Sequence, residues 1–179
     1  MGRDKGLLDY HGVPQVRWLW RQLDALSARC YVSLGAGQAA SEAYAGMPTL
    51  LDSVPAVGPA TGLLTAWQAA PDNAWLVVAV DLPFLNCETL DALLAGRRAD
   101  CLASAFEHPD GTLEPLCTIW EPAALAVLLA RVEAGDASLR GLLEAGPTAR
   151  LVPPSPEAII SVNSPEERLR ALERLGRGR

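Results

Sequence analysis

The sequence lacks any apolar run long enough to cross a membrane. Its strongly apolar stretches, such as residues 74–80, fall far short of the roughly 20 residues that a membrane-spanning helix needs. The opening residues, MGRDKGLLDYHG, contain no apolar core of the kind that a signal peptide carries. We therefore expect a protein of the cytoplasm that does not bind membranes.

Positive charge is also scarce. The 15 Lys and Arg residues are outnumbered by 21 Asp and Glu residues, which gives a net charge of −6. Binding nucleic acid through its phosphates needs a basic face that displaces counterions, so a small-molecule substrate is the better expectation. The 179 residues contain no repeat or dividing linker, which predicts a single domain over residues 1–179.

Paired cysteines are absent and histidines are few. The four cysteines form no C-x-x-C motif, and neither His11 nor His108 lies beside one of them, so the sequence gives no support for a zinc site. Cys87 is expected at the start of a helix. The cysteines in apolar stretches are expected to be buried as small hydrophobes, and these are Cys30, Cys101 and Cys117.

Short apolar runs alternate with stretches of helical period, which is typical of an α/β fold with a mostly parallel sheet and helices on both faces. Helices are predicted at 14–28, 58–70, 88–94, 122–133, 138–144 and from 164 onward. Strands are predicted at 30–34, 49–51, 75–80, 99–106, 116–120 and 159–162. The run 75–80 is continuously apolar, which favours a central strand covered on both faces.

Two aspartates follow predicted strands. Asp81 comes after the run 75–80, and the carboxyl ends of strands are where open α/β sheets bind ligands. A carboxylate there can bind Mg²⁺ together with waters and substrate phosphates, and the less favoured alternative is that Asp81 only ends the strand or caps the following turn. Asp52 follows the strand 49–51, and both a ligand role and a turn role stay open for it.

Two further segments have features of a phosphate site. Lys5 lies among Gly2, Arg3, Asp4 and Gly6, where its charge can either neutralise triphosphate oxygens or simply be solvated.

The other segment opens a predicted helix with Gly58, Pro59 and Gly62. Such a start can receive a phosphate or let a base approach the backbone, and the alternative for these small residues is tight packing of the helix on a strand.

Taken in order, these motifs resemble those of the molybdenum cofactor guanylyltransferases over nearly the whole chain. The family's opening pattern is L-A-G-G-x-S-x-R-M-G-x-D-K-x-L-L, and the chain matches its second half from Met1 to Leu8. The other matching positions are Gly12, Pro14, Asp52, the G-P-x-x-G of 58–62, the D-x-P of 81–83, the E-P-L of 114–116 and the V-N-S-P-E-E of 162–167.

The resemblance implies a three-layer, Rossmann-like nucleotidyltransferase fold that transfers GMP from GTP to molybdopterin and releases pyrophosphate. In that reaction Lys5 would bind the nucleotide phosphates, Asp81 would hold Mg²⁺, and Asn163 would face the pterin. The guanine nucleotide site would be shaped by Asp52, Gly58, Pro59 and Gly62, with Lys5 and Asp81. The two substrates would be the partners, and other proteins of the cofactor pathway are expected as transient contacts.

Three departures from the pattern bear on activity and specificity. The glycine pair and arginine of the opening loop are not in this sequence, Ser161 stands where the family often has asparagine, and 34–37 lacks another asparagine. We expect the fold to lack its first strand, with Met1 an internal methionine of a longer protein, and the 179 residues alone to be a poor enzyme.

The alternatives are a cytidylyltransferase or another small-substrate enzyme of this fold, and a non-catalytic nucleotide-binding protein. Asp4 precedes Lys5 where sugar-phosphate nucleotidyltransferases usually have proline, which disfavours that class.

Overall fold

The structure, a computed structural model, describes residues 4–35, 37–38, 41–52 and 58–177. Its six helices are α1 (Gln15–Asp24), α2 (Pro59–Ala69), α3 (Cys87–Ala95), α4 (Ala123–Glu133), α5 (Leu139–Ala145) and α6 (Pro165–Arg177). Its strands are β1 (Val32–Leu34), β2 (Thr49–Leu51), β3 (Trp75–Val78), β4 (Ala103–Glu107), β5 (Leu113–Trp120) and β6 (Thr148–Leu151). The predicted α/β class is confirmed.

The described strands form two sheets. One pairs β1 with β2 in parallel, and the other has the order β3-β5-β4-β6. In the larger sheet β5 is antiparallel to both of its neighbours, β3 and β4, whereas β4 and β6 are parallel. With the parallel pair β1–β2, the described strands form two parallel and two antiparallel pairings. The connection from β4 to β5 is a hairpin over 108–112, and Gly111 there has a φ of 83°, which glycine adopts without strain.

Helices cover both faces of the larger sheet. Neighbouring residues of a strand point to opposite faces, and accordingly Trp120 packs with α2, α4 and α5, while Ile119 packs with α1 and α3. The three-layer arrangement inferred from the resemblance is therefore confirmed.

The strand predicted at 159–162 is wrong. A short 3-10 turn, Pro156–Ile159, occupies its beginning, and beyond it Val162 donates one backbone hydrogen bond to Asp81, at 2.9 Å. The prediction rested on apolar residues that are indeed buried, Ile159 and Val162, but burial does not require a strand. The strand that does form in this region is β6, whose four residues pair at the sheet edge with β4.

The prediction of a central position for the run 75–80 also needs correction for the described residues. There β3 pairs with β5 alone and lies at the edge of its sheet. Its apolar residues are partly buried and pack against the clusters on either face. The continuous hydrophobicity of this run thus indicated that both faces of the strand are covered, and not that the strand has a neighbouring strand on each side. The strand expected to precede Lys5 stays a prediction.

Candidate nucleotide-binding site

Lys5 lies at the centre of the candidate site and is the only lysine among the 179 residues. It begins a short 3-10 turn, Lys5–Leu7, which is capped by Asp4, whose Oδ1 accepts a hydrogen bond from the Gly6 N–H at 2.9 Å. The Lys5 ammonium donates to Asp81 Oδ2 at 2.9 Å and also to the side-chain oxygen of Asn163. The structure therefore brings together three residues predicted to act on the substrates.

Asp81 lies three residues beyond the end of β3, in a segment that backbone hydrogen bonds hold on two sides. Just before it, the Ala79 N–H donates to the Leu116 carbonyl of β5 at 2.7 Å. The Asp81 carbonyl accepts from the Val162 N–H, which brings the segment before α6 against the strand end. The side chains of Asp81 and Lys5 are 18% and 32% exposed, so solvent and a ligand can reach both charged groups.

Asn163 is fixed by the capping box that begins α6. Its N–H and that of Ser164 donate to the Glu167 carboxylate at 2.6 and 3.0 Å, and the Glu167 N–H donates back to Ser164 Oγ. These backbone hydrogen bonds lower the pKa of Glu167. The Asn163 side chain also donates to Ser161 Oγ at 2.9 Å. The helix start predicted from S-P-E-E is confirmed, and it aims the Asn163 oxygen at Lys5.

Asp52 belongs to a second group of residues at the end of β2. Its carboxylate accepts a hydrogen bond from the Ser33 hydroxyl at 3.1 Å. Gly62 of α2 packs against the same hydroxyl, because a Cβ at position 62 would lie 2.7 Å from Ser33 Oγ. Gly58 precedes α2 with a φ of 70°, and Pro59 is the first residue of the helix. Packing of helix on strand therefore accounts for Gly62, and its contact with a nucleotide stays a prediction.

Sequence reasoning assigned no role to three residues that hold the Lys5 turn. Asp4 Oδ2 accepts from the Tyr44 hydroxyl at 2.6 Å and from the Gln38 amide at 2.8 Å, and Gln38 in turn accepts from the Gly35 N–H at 3.1 Å. The only local sequence signal was the carboxylate directly before Lys5, which suits an N-cap. Nothing in the sequence pairs it with residues some 40 positions away.

A divalent cation fits the Asp81 carboxylate only with help from a substrate. No group of three or more His, Cys, Asp or Glu side chains that could hold a metal occurs within the part of the chain that the structure describes. Mg²⁺ commonly binds through one or two carboxylates, several waters and substrate phosphates, and Asp81 can supply the one carboxylate.

Two surface grooves of about 320 and 330 Å³ lie elsewhere. The first lies between the β4–β5 hairpin and the segment after β6, and the second lies between Pro59 and Arg140. Neither is lined by Lys5, Asp81 or Asn163, so the candidate site is defined by its charged and polar contacts. None of the described helices is long and apolar enough to span a bilayer.

Comparison with known proteins identifies the family. Residues 1–151 match the model of the MobA-like NTP transferase domain. The molybdenum cofactor guanylyltransferase of Cereibacter sphaeroides is 34% identical over 95% of this chain and 87% of its own length. A molybdenum cofactor biosynthesis bifunctional protein of a Synechocystis species is 31% identical over 93% of this chain, but the match spans only 48% of that protein.

A solved structure has a similar fold. The crystal structure of molybdopterin-guanine dinucleotide biosynthesis protein A from Archaeoglobus fulgidus superposes with a TM-score of 0.80, at 19% identity, over 98% of this chain and 92% of that one. The resemblance drawn from the motifs is confirmed: the chain belongs to the MobA-like NTP transferase domain family, with molybdenum cofactor guanylyltransferases among its members.

Proposed function

We propose that this protein transfers GMP from GTP to molybdopterin, with Mg²⁺ bound and with release of pyrophosphate. The observation that carries the proposal is the convergence of Lys5 on Asp81 and Asn163 from three distant parts of the chain. The names of the relatives supply the two substrates, and the arrangement of charges is suited to a reaction between phosphates.

Lys5 binds the triphosphate in this proposal. Its ammonium is a compact charge with three donors, and in the structure it is partly exposed and already aimed at the end of β3. A positive charge fixed at that point neutralises the charge that builds up on the departing pyrophosphate, which is the main contribution that a protein makes to phosphoryl-type transfer.

Asp81 holds the metal through its carboxylate. When bound, Mg²⁺ neutralises phosphate charge and fixes the orientation of the phosphate oxygens. The carboxylate contributes little to the core because it lies at a strand end and faces Lys5. Loss of the Asp81 carboxylate is therefore expected to lower the affinity for the metal and the nucleotide and not the stability of the fold.

The reaction needs no nucleophile from the protein. An oxygen of the molybdopterin phosphate attacks the α-phosphorus of GTP and forms a new P–O bond. The bond from that phosphorus to the oxygen that bridges to the β-phosphate breaks, and the bridging oxygen keeps the electron pair and leaves with pyrophosphate. Asn163 lies beside Lys5 and faces the pterin in this proposal, where its carboxamide can donate and accept hydrogen bonds.

Asp52 contributes to recognition of the guanine. A carboxylate accepts hydrogen bonds only, and the Watson–Crick edge of guanine offers two adjacent donors, its ring N–H and its amino group. The Ser33 hydroxyl orients the Asp52 side chain, and the start of α2, with Gly58, Pro59 and Gly62, lies on the same side because Gly62 contacts Ser33. Backbone N–H groups at such a helix start favour an anionic ligand.

The experiment compares GTP, CTP and ATP as donors to molybdopterin in the presence of Mg²⁺. It uses the 179-residue chain and a form extended upstream by about 20 residues carrying the glycine-rich loop, enough for a strand and a turn. We expect the guanine dinucleotide to form from GTP only, and faster in the extended form. Product from CTP in preference to GTP would make the protein a cytidylyltransferase, and no product in either form would refute the proposed reaction.

A further inference from the structure

Tyr44 is connected to the Lys5 turn by a short chain of hydrogen bonds. Its side chain is 5% exposed and packs in the small core cluster of Val16, Leu34 and Met47. From there its hydroxyl donates to Asp4 Oδ2 at 2.6 Å, and the other oxygen of Asp4 caps the turn at Gly6. One end of this connection is thus packed in the core, and the other is Asp4, the partly buried residue before Lys5.

The turn is shaped to admit the Tyr44 hydroxyl. A Cβ at Gly6 would lie 2.8 Å from the Tyr44 oxygen and 3.3 Å from Asp4 Oδ1, so any side chain at position 6 would push the hydroxyl away from Asp4. Gly6 is buried and has no positive φ. Its lack of a side chain is therefore explained by space for this hydrogen bond and not by backbone conformation.

The Tyr44 hydroxyl remains a donor throughout the physiological pH range. Burial raises the pKa of Tyr44, and the hydrogen bond to Asp4 and the charge of Asp4 raise it further. Asp4 also accepts from Gln38, which holds the Gly35 N–H at the end of β1. The cap of the Lys5 turn is thus anchored both in the core and on the smaller sheet.

We infer that Tyr44 is a positioning residue, whose hydroxyl, through Asp4, fixes the turn from which Lys5 reaches Asp81 and Asn163. The inference rests on the proposed function for the role of Lys5 toward phosphates, whereas the anchoring itself is independent of any ligand. If Tyr44 only filled the core, phenylalanine would replace it without effect on Lys5.

The test uses the fact that Lys5 is the only lysine. Lysine labelled with ¹³C at Cε gives a single side-chain signal in the 179-residue chain, and its relaxation reports the mobility of the ammonium end. We expect Tyr44→Phe and Gly6→Ala each to increase this mobility. In Tyr44→Phe, which keeps Gly6, we also expect the exchange of the Gly6 amide proton to become about tenfold faster, as loss of one charge-assisted hydrogen bond implies. Tyr31→Phe is the matched control, because Tyr31 contacts Trp75.

A double-mutant cycle then tests whether Tyr44 acts through Lys5. In the extended form, Tyr44→Phe should weaken GTP binding about tenfold when Lys5 is present and have no effect in the Lys5→Ala background. Gly6→Ala should likewise cause little further loss of GTP affinity in the Tyr44→Phe background, because the Tyr44 oxygen that would clash with the new Cβ is absent. Thermal unfolding of each variant shows whether it is folded, and only folded variants are compared. If Tyr44→Phe does not fold, Gly6→Ala replaces it in the test, because it also displaces the Tyr44 hydroxyl from Asp4.

Unchanged lysine mobility in both variants, or an equal loss of GTP affinity with and without Lys5, would overturn the inference. An extended form without substitutions that binds no GTP would refute the proposed function instead, and the mobility measurement would still decide the role of Tyr44.

Discussion

The Lys5 ammonium lies 2.9 Å from Asp81 Oδ2, although 76 positions separate the two residues in the sequence. Both side chains are partly exposed, and an ion pair of this kind contributes about 0–1 kcal/mol to stability. Its value to the fold is therefore small. In the proposed reaction the pair holds the Asp81 carboxylate and the Lys5 ammonium next to each other. When the substrate binds, the carboxylate binds the metal and the ammonium binds the triphosphate.

Asp81→Asn should abolish transfer and spare the fold. The substitution removes the negative charge that binds Mg²⁺ while keeping the shape of the side chain, and we expect the rate to fall at least about 100-fold, as losses of charge-stabilising groups do. Asp100→Asn is the matched control, because Asp100 is exposed and paired with Arg98. Product formation and thermal unfolding are measured on both. A normal rate for Asp81→Asn would remove Asp81 from the metal site.

Gly62→Ala should be less favourable than helix propensity alone suggests. Replacing glycine by alanine inside a helix gains about 1 kcal/mol, but here the new Cβ would meet Ser33 Oγ at 2.7 Å and force the hydroxyl off Asp52. In the Ser33→Ala background the oxygen is absent and the full gain should return. Urea unfolding of the four chains of this cycle measures the difference. Equal effects of Gly62→Ala in both backgrounds would show that Ser33 does not restrict position 62.

The start of α6 should lose stability in acid. Hydrogen bonds from the Asn163 and Ser164 N–H groups lower the pKa of Glu167 in the folded protein. Its stabilising effect is therefore fully present above the unfolded-state pKa of about 4.3 and is lost as the pH falls through the lower folded value. The difference in thermal midpoint between wild type and Glu167→Gln should be present at pH 7 and shrink below about pH 4. Glu166→Gln, which removes a carboxylate at an exposed neighbouring position, is the matched control.

The cysteines should differ in their reactivity toward maleimide. Cys87 is exposed, whereas burial raises the pKa of Cys117 to about 12 and that of Cys30 to about 11. Because the thiolate is the reactive form, Cys87 should be modified first in the native protein, and Cys117 only after unfolding. Mass spectrometry of digested protein identifies the modified positions. Rapid labelling of Cys117 in native protein would contradict the packing of β5.

Local signals in the sequence predicted much of the fold. Gly58 and Pro59 at the start of α2 and the S-P-E-E at the start of α6 mark helix starts through their own chemistry, and both helices form there. The strand at Thr49–Leu51 also lies where it was predicted. Strand pairing depends on distant partners, and this is why β6 was missed and an edge position for β3 was not foreseen.

The sequence predicted three residues of the candidate site but not the residues that hold them in place. Lys5, Asp81 and Asn163 were each picked out by motifs, and the structure places them in contact. Tyr44 has no motif, because its role depends on a hydrogen bond across 40 positions to Asp4. A buried tyrosine looks like any core residue until its hydroxyl is located.

In the proposed reaction Lys5, the only lysine among the 179 residues, binds the nucleotide phosphates. The most direct measurement is the affinity for GTP in the presence of Mg²⁺, by isothermal titration calorimetry, of the extended wild-type form and of its Lys5→Ala variant. Arg98→Ala serves as a control that removes an exposed cation elsewhere. We expect the affinity for GTP to fall at least about tenfold for Lys5→Ala, as loss of a charged hydrogen bond implies, with an unchanged thermal midpoint. Equal GTP affinity in the wild type and Lys5→Ala would show that Lys5 does not bind the phosphates.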